Sequence, residues 1–234
     1  MKIAIISDVH GNIDALNRVI KEIKREKIEV VFSLGDQLGY YYDAEKVYDQ
    51  LEKLDTVMIA GNHERIFLDY LIKNNPEIDE KYGLCFQKYK NSFSQDLIQK
   101  IKNLPSFKFV KINSINFGLF HGASFDPDYY VYPTADKTVL EKFSDSPADV
   151  IFIGHSHYPF VFQCGQKLVV NVGSVGQSRV VGGIANWGIY DMSNHVYIPK
   201  STLYDVQKVI DKLEKEDQSK YLKKILERNN FNYE

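Results

Sequence analysis

The chain has 234 residues, 44% apolar and 26% charged, the balance of an ordinary folded globular protein with length enough for a substantial core. Its formal net charge of -2 gives no electrostatic pull toward a long nucleic acid or an anionic membrane. No apolar run approaches a membrane span, the opening MKIAIIS is too short for a signal-peptide core, and Cys85 and Cys164 lack a Cys-x-x-Cys spacing, so a cytoplasmic protein with two free, buried thiols is expected.

The first third alternates strand and helix. Ile3–Ser7 reads as a strand, and Ile13–Lys27 as an amphipathic helix with Ile13, Leu16, Ile20 and Ile23 on one face. Val30–Leu34 is the next strand, Ala44–Leu54 the next helix and Thr56–Ala60 a third strand. Strand–helix–strand order with short connections implies right-handed crossovers and a parallel sheet. From Arg65 to Asn103 the pattern is helical and rich in Lys, Asn and Gln, as in a solvated helical cap.

After Phe107 the texture changes to short strands with tight turns. Lys108–Ile112 and Ile115–Phe120 flank Asn113-Ser114, Val161–Cys164 and Lys167–Asn171 flank Gly165-Gln166, and Trp187–Asp191 and His195–Ile198 flank Ser193-Asn194. Leu203–Leu226 reads as one or two charged amphipathic helices. A parallel half followed by a hairpin-rich half predicts an α/β fold, a four-layer α/β/β/α sandwich with two mixed central sheets. Without repeats, low-complexity tracts or Pro/Gly linkers, residues 1–234 are expected to form a single domain with a helical extension at about 203–228.

Five apolar runs end in short polar clusters: Asp8-Val9-His10, Gly35-Asp36, Gly61-Asn62-His63, His121-Gly122 and Gly154-His155-Ser156-His157. In open α/β sheets, ligands gather beyond the carboxyl ends of the strands. Imidazole, carboxylate and amide oxygen delivered there form the ligand set of a hydrolytic transition-metal site.

The ordered set Asp-x-His, Gly-Asp, Gly-Asn-His-Glu, His, Gly-His-x-His resembles the calcineurin-like metallophosphoesterase superfamily, of the small prokaryotic phosphoesterase type, over roughly residues 1–180. Asn171-Val172-Gly173-Ser174 is similar to a loop that small members usually write Asn-Pro-Gly-Ser. The resemblance implies that Asp8, His10, Asp36 and His157 hold one divalent transition metal, and that Asp36, Asn62, His121 and His155 hold a second. Manganese is the first expectation, with iron, zinc or nickel as alternatives, because mixed N/O ligands do not choose among them. Two ions roughly 3.5–4 Å apart acidify a bridging water and clamp phosphoryl oxygens during in-line attack. His63 is implied to assist the leaving group, as general acid or charge stabiliser.

Departures from the family pattern are informative. Gly39 and Tyr40 stand where protein phosphatases of the superfamily carry an Asp-Arg pair, and Ala60 replaces a second arginine. Those arginines grip phosphate bidentately, so a phosphoprotein substrate is disfavoured. Arg179 is then the best candidate for a phosphate clamp, with a surface salt bridge as its other reading, and Arg65 is a weaker candidate. Tyr40-Tyr41-Tyr42 either stack on a nucleobase or pack a loop over helix 44–54. Tyr129, Tyr130 and Tyr132 could wall the same cleft. Asn12 either orients a ligand or caps the first helix. His195 sits in a hairpin turn. The resulting expectation is a dinuclear phosphoesterase acting on a small-molecule phosphate ester, a phosphodiester or nucleotide-like compound. The alternatives are a non-catalytic scaffold of the same fold, or a nuclease, which the near-neutral charge disfavours.

Overall fold

The computed structural model describes residues 1–73, 75–216 and 220–228. The N-terminal half runs β1 (Lys2–Ile6), α1 (Ile13–Arg25), β2 (Val30–Ser33), α2 (Ala44–Lys53) and β3 (Val57–Met58), as two successive βα units. The helical stretch that follows resolves into α3 (Asn62–Lys73), α4 (Pro76–Tyr82), α5 (Cys85–Ser92) and α6 (Gln95–Lys102). Then come β4 (Phe107–Ile112), β5 (Ile115–Phe120), α7 (Lys137–Glu141), a single 3-10 turn, β6 (Val150–Ile153), β7 (Phe160–Cys164), β8 (Lys167–Asn171), β9 (Ile184–Asp191) and β10 (Val196–Leu203). Helices α8 (Val206–Glu216) and α9 (Lys220–Leu226) follow; residues 217–219 of the expected C-terminal extension lie outside the described residues.

Two five-stranded mixed sheets result, ordered β10-β9-β1-β2-β3 and β4-β5-β6-β8-β7. In the first, β1, β2 and β3 are parallel and β9 runs antiparallel to β1. In the second, β5, β6 and β8 are parallel, with β4 and β7 antiparallel at the edges. Strand alternation then sorts the apolar residues into two faces. Ile3, Ile5, Phe32 and Leu34 of the first sheet meet Phe117, Leu119, Phe152 and Val170 of the second in one buried layer. Phe117 lies at its centre, stacked on Phe152 and edge-on to Phe32 and Tyr190. Each such fully buried ring contributes about 1.5–3 kcal/mol. Ala4, Ile6, Val31 and Ile189 point the other way, under α1, α2 and the C-terminal helices.

The expected two mixed sheets with helices outside are present, but the fourth layer is thin. Among the described residues, α7, the 3-10 turn and the loop before them cover the outer face of the second sheet, burying Phe143 and Val131 against Ile151 and Val169. Helix ends also differ from expectation, and for one reason. Lys27 takes φ 54° after α1, where Ile28 N–H donates to Ile23 and Lys27 N–H to Lys24. Asp55 repeats this after α2, with Thr56 N–H bonded to Leu51. Both are Schellman-type stops without glycine, so composition does not announce them. Thr56 is spent in that turn, so the third strand begins at Val57, and it ends at Met58, before Ala60 N–H donates to the Pro105 carbonyl outside the sheet. Among the described residues, no helix is long and apolar enough to cross a membrane.

Candidate metal centre

The parallel strands of both sheets end at one edge of the sandwich, and the chain turns sharply at each end. Asp8, His10, Asp36, His155 and His157 all adopt left-handed φ, between 52° and 65°. For non-glycine residues this conformation costs roughly 1–2 kcal/mol each, least for Asp, Asn and His, and such strain concentrates where function demands a fixed direction. Cross-bonds hold the turns: Asp8 N–H to Gly35, His10 N–H to Asp36, Gly154 N–H to His121 and Gly176 N–H to Asp8 carbonyls, at 2.9–3.1 Å. The flanking glycines are steric necessities. A Cβ on Gly61 would run into the Asp36 carboxylate, and one on Gly154 into Ser7 and Asp8.

Backbone carbonyls then fix the imidazoles. The Nδ1 atoms of His10, His121 and His157 face the carbonyls of Leu38, Leu34 and Gln177 at 3.2, 2.8 and 2.8 Å. A carbonyl only accepts, so Nδ1 carries a proton in all three rings and Nε2 is the atom left facing inward. His155 is held the opposite way, its Nε2 donating to the Asp128 carbonyl at 3.3 Å while Tyr130 stacks on its ring at 3.7 Å.

The inward atoms crowd together. His10 Nε2 lies 3.0 Å from His157 Nε2, and His157 Nε2 lies 3.1 Å from Asp8 Oδ1. His121 Nε2 is 2.9 Å from Asn62 Oδ1 and 3.3 Å from Asp36 Oδ2. Burial alone would raise the Asp36 carboxyl, but His121 and His63 hold it well below the carboxylate range. Asp8 is likewise lowered against the effect of burial, chiefly by His157. Burial would lower His121, yet Asp36 and Asp8 lift it to about 9. His155 and His63 are both held down to about 4, first by burial.

Two imidazole lone pairs 3.0 Å apart repel unless a cation lies between them. Among the described residues, buried Asp8 Oδ1 has no hydrogen-bond partner beyond the facing His157 Nε2. Three sets of donor atoms lie close enough to share an ion: Asp8/His10/His157, His10/Asp36/His63 and Asp36/His121/His155. The donors are imidazole and carboxylate, with Asn62 amide oxygen beside them, and they fit divalent first-row metals.

His63 sits among these groups as the second residue of α3. Its backbone N–H donates to Asp36 Oδ1 at 2.8 Å, and its ring packs on His10, Tyr40 and Tyr82 at 4.6–4.9 Å between centroids. Its Nδ1 is buried without a partner against Gly39, while Nε2 lies 3.9 Å from Asp36 Oδ2. A cleft of about 320 Å³ opens above, walled by Tyr40, His63, Tyr130, Tyr132, Tyr158 and Arg179.

For several residues the structure decides between the open sequence readings, and it moves Asn12, Tyr41, Tyr42 and Tyr129 out of the substrate-binding set. Asn12 does not reach the cleft: it is buried, its Oδ1 caps α1 through Ala15 N–H and its Nδ2 donates to Gly176 carbonyl. Tyr41 and Tyr42 are core residues, since Tyr40 takes φ 52° and turns its successors inward. Tyr129 packs on Phe125, leaving Tyr130 and Tyr132 as the walls from that loop. Arg65 pairs with Asp128 and thereby ties α3 to the loop that holds His155.

Glu64 was given no role by sequence, although it stands in the Gly-Asn-His-Glu run. Fully buried, it accepts from the backbone N–H groups of Asp36, Gln37, Leu38 and Gly61 and from the Tyr48 hydroxyl, at 2.7–3.4 Å. This one carboxylate fixes the Asp36 turn to the start of α3. Glu64→Gln should lower stability by about 2 kcal/mol, because an amide donor would face N–H groups that need an acceptor. Urea unfolding measures this; an unchanged midpoint would show that the turn holds without the carboxylate.

Residues 1–194 match the family model for the calcineurin-like phosphoesterase superfamily domain. The chain is 29% identical over 231 residues to an uncharacterized protein of Methanocaldococcus jannaschii, a match covering 91% of this chain and 92% of that one. A hypothetical protein of Pyrococcus horikoshii has a similar solved structure, with TM-score 0.85, 19% identity and 97% of both chains covered. A metallophosphoesterase from Sphaerobacter thermophilus has TM-score 0.82 at 20% identity, covering 97% of this chain and 98% of that one.

Proposed function

The chain belongs to the calcineurin-like phosphoesterase superfamily, and from that membership as a metal-dependent phosphoester hydrolase we propose a two-metal enzyme that cleaves a small phosphodiester or nucleotide-like ester. Asp8, His10, Asp36 and His157 would hold one ion, and Asp36, Asn62, His121 and His155 the other. The single observation that carries this is the convergence of these seven side chains, with imidazole nitrogens fixed inward around Asp36. Bound divalent ions, manganese or else iron, zinc or nickel, supply Lewis acidity toward a phosphoryl oxygen and water.

The chain's own groups do the rest. His63 is proposed to serve the leaving group from Nε2, because Nδ1 is sealed against Gly39. Arg179 is proposed to grip a phosphoryl oxygen, and Tyr40, Tyr130 and Tyr132 to flank the ester with stackable faces. A non-catalytic scaffold is disfavoured by the complete ligand set and by His63. Residues 1–234 are proposed to work as one cytoplasmic domain on a small-molecule substrate.

The test is a metal-reconstituted screen of p-nitrophenyl phosphate, its bis-ester, cyclic nucleotides and dinucleoside polyphosphates, with elemental analysis. Saturated protein should approach two transition metals per chain, and diester turnover should exceed monoester turnover. Tyr132→Ala should raise KM more than it lowers kcat, the mark of lost uniform binding. Tyr42→Ala should leave KM unchanged, since that ring is in the core. A strong monoester preference, or indifference to Tyr132, would defeat the substrate assignment.

A further inference from the structure

The family match ends at residue 194, before α8 and α9. Helix α9 nevertheless packs against the segment that carries Arg179 into the cleft. Leu222 and Leu226 join the core beneath it. Gly182 N–H donates to the Arg228 carbonyl at 2.7 Å, and the Arg228 guanidinium donates to the Arg179 carbonyl at 3.0 Å. A side chain at Gly182 would collide with the Leu226 carbonyl, so helix and loop are in direct backbone contact. From α9, the Tyr221 hydroxyl accepts from Arg179 Nη1 at 3.3 Å. Tyr221 itself is 50% exposed and is not among the residues that wall the cleft.

A guanidinium has five N–H donors in a rigid planar fork. Spending one on Tyr221 orients the plane and leaves the others for phosphoryl oxygens, while a free arginine would first lose several rotamers. We infer that Tyr221 is a positioning residue for Arg179, and that α9, outside the family domain, sets the grip of this enzyme on the phosphoryl group. The inference rests on the proposed phosphoesterase function and adds to it a determinant of substrate affinity that the family domain alone does not carry.

The experiment uses the full, metal-loaded chain and a double-mutant cycle of Tyr221→Phe and Arg179→Ala. Two readouts are taken: Kd for inorganic phosphate by titration calorimetry, and KM and kcat for bis-p-nitrophenyl phosphate. Tyr221→Phe should raise both Kd and KM by roughly fivefold, the scale of one hydrogen bond, with kcat, metal content and Tm unchanged. Arg179→Ala should raise both by roughly ten- to a hundredfold, the scale of a hydrogen bond to a charged group. Adding Tyr221→Phe to Arg179→Ala should then change nothing further. Equal effects of Tyr221→Phe in both backgrounds, or none in either, would overturn the inference. If the wild type cleaves no ester yet binds phosphate, the proposed function fails and the phosphate cycle still decides this point. Failure to bind phosphate at all would overturn both.

Discussion

Asp36→Asn should abolish most activity, at least about 10³-fold in kcat/KM or roughly 4 kcal/mol, and should cost at least one metal per chain. The substitution separates chemistry from folding. Asn tolerates the left-handed φ of 54° that position 36 requires, and its amide oxygen can still accept the His63 N–H that Asp36 Oδ1 now accepts. What it removes is the negative charge facing His121, in a residue that belongs to two of the three candidate ligand sets. Turnover and elemental analysis on reconstituted protein, with circular dichroism as the folding control, measure the effect. Full activity and full metal content in this variant would refute the bridging role.

His63→Gln should keep both metals and still lose about 10²–10⁴-fold in turnover, the span of general acid–base catalysis. Metal retention is expected because His63 contacts Asp36 most closely through its backbone N–H, which the substitution leaves in place. The loss should shrink for p-nitrophenyl esters, whose leaving group needs little protonation, and be full for alkyl esters. Equal losses on both would mean that the ring positions the substrate rather than serving the leaving group. A Gln side chain also fills much of the space between His10, Tyr40 and Tyr82, which limits collapse of the wall.

What sequence revealed and what it concealed divide along a physical line. The five strand ends were legible because each pairs a local apolar run with a glycine- or histidine-bearing turn, and local patterns survive in one dimension. The two sheets were legible because parallel units and hairpins leave different connection lengths. Helix ends at Lys27 and Asp55 were not, since neither stop uses glycine. Nor could three consecutive tyrosines be sorted, because one left-handed residue at Tyr40 decides which ring faces the cleft. Glu64 was visible within the Gly-Asn-His-Glu run but its partners were not, and the Arg65–Asp128 pair and the Tyr221–Arg179 contact likewise depend on elements brought together only by folding.

The two sheets contribute unequal shares of the proposed ligand set. Asp8, His10, Asp36 and Asn62 follow β1, β2 and β3 of the first sheet; His121, His155 and His157 follow β5 and β6 of the second. His10 and His157, 147 residues apart in the chain, meet at 3.0 Å. An ion held between them would be a removable cross-link over a very long loop. Closing a loop of about 100 residues restricts the unfolded chain by roughly 5 kcal/mol in the entropic model of disulfides. Metal supply would therefore govern the cohesion of the sandwich as well as its chemistry, and chelation would loosen the seam between the sheets before it touched the ladders within either one.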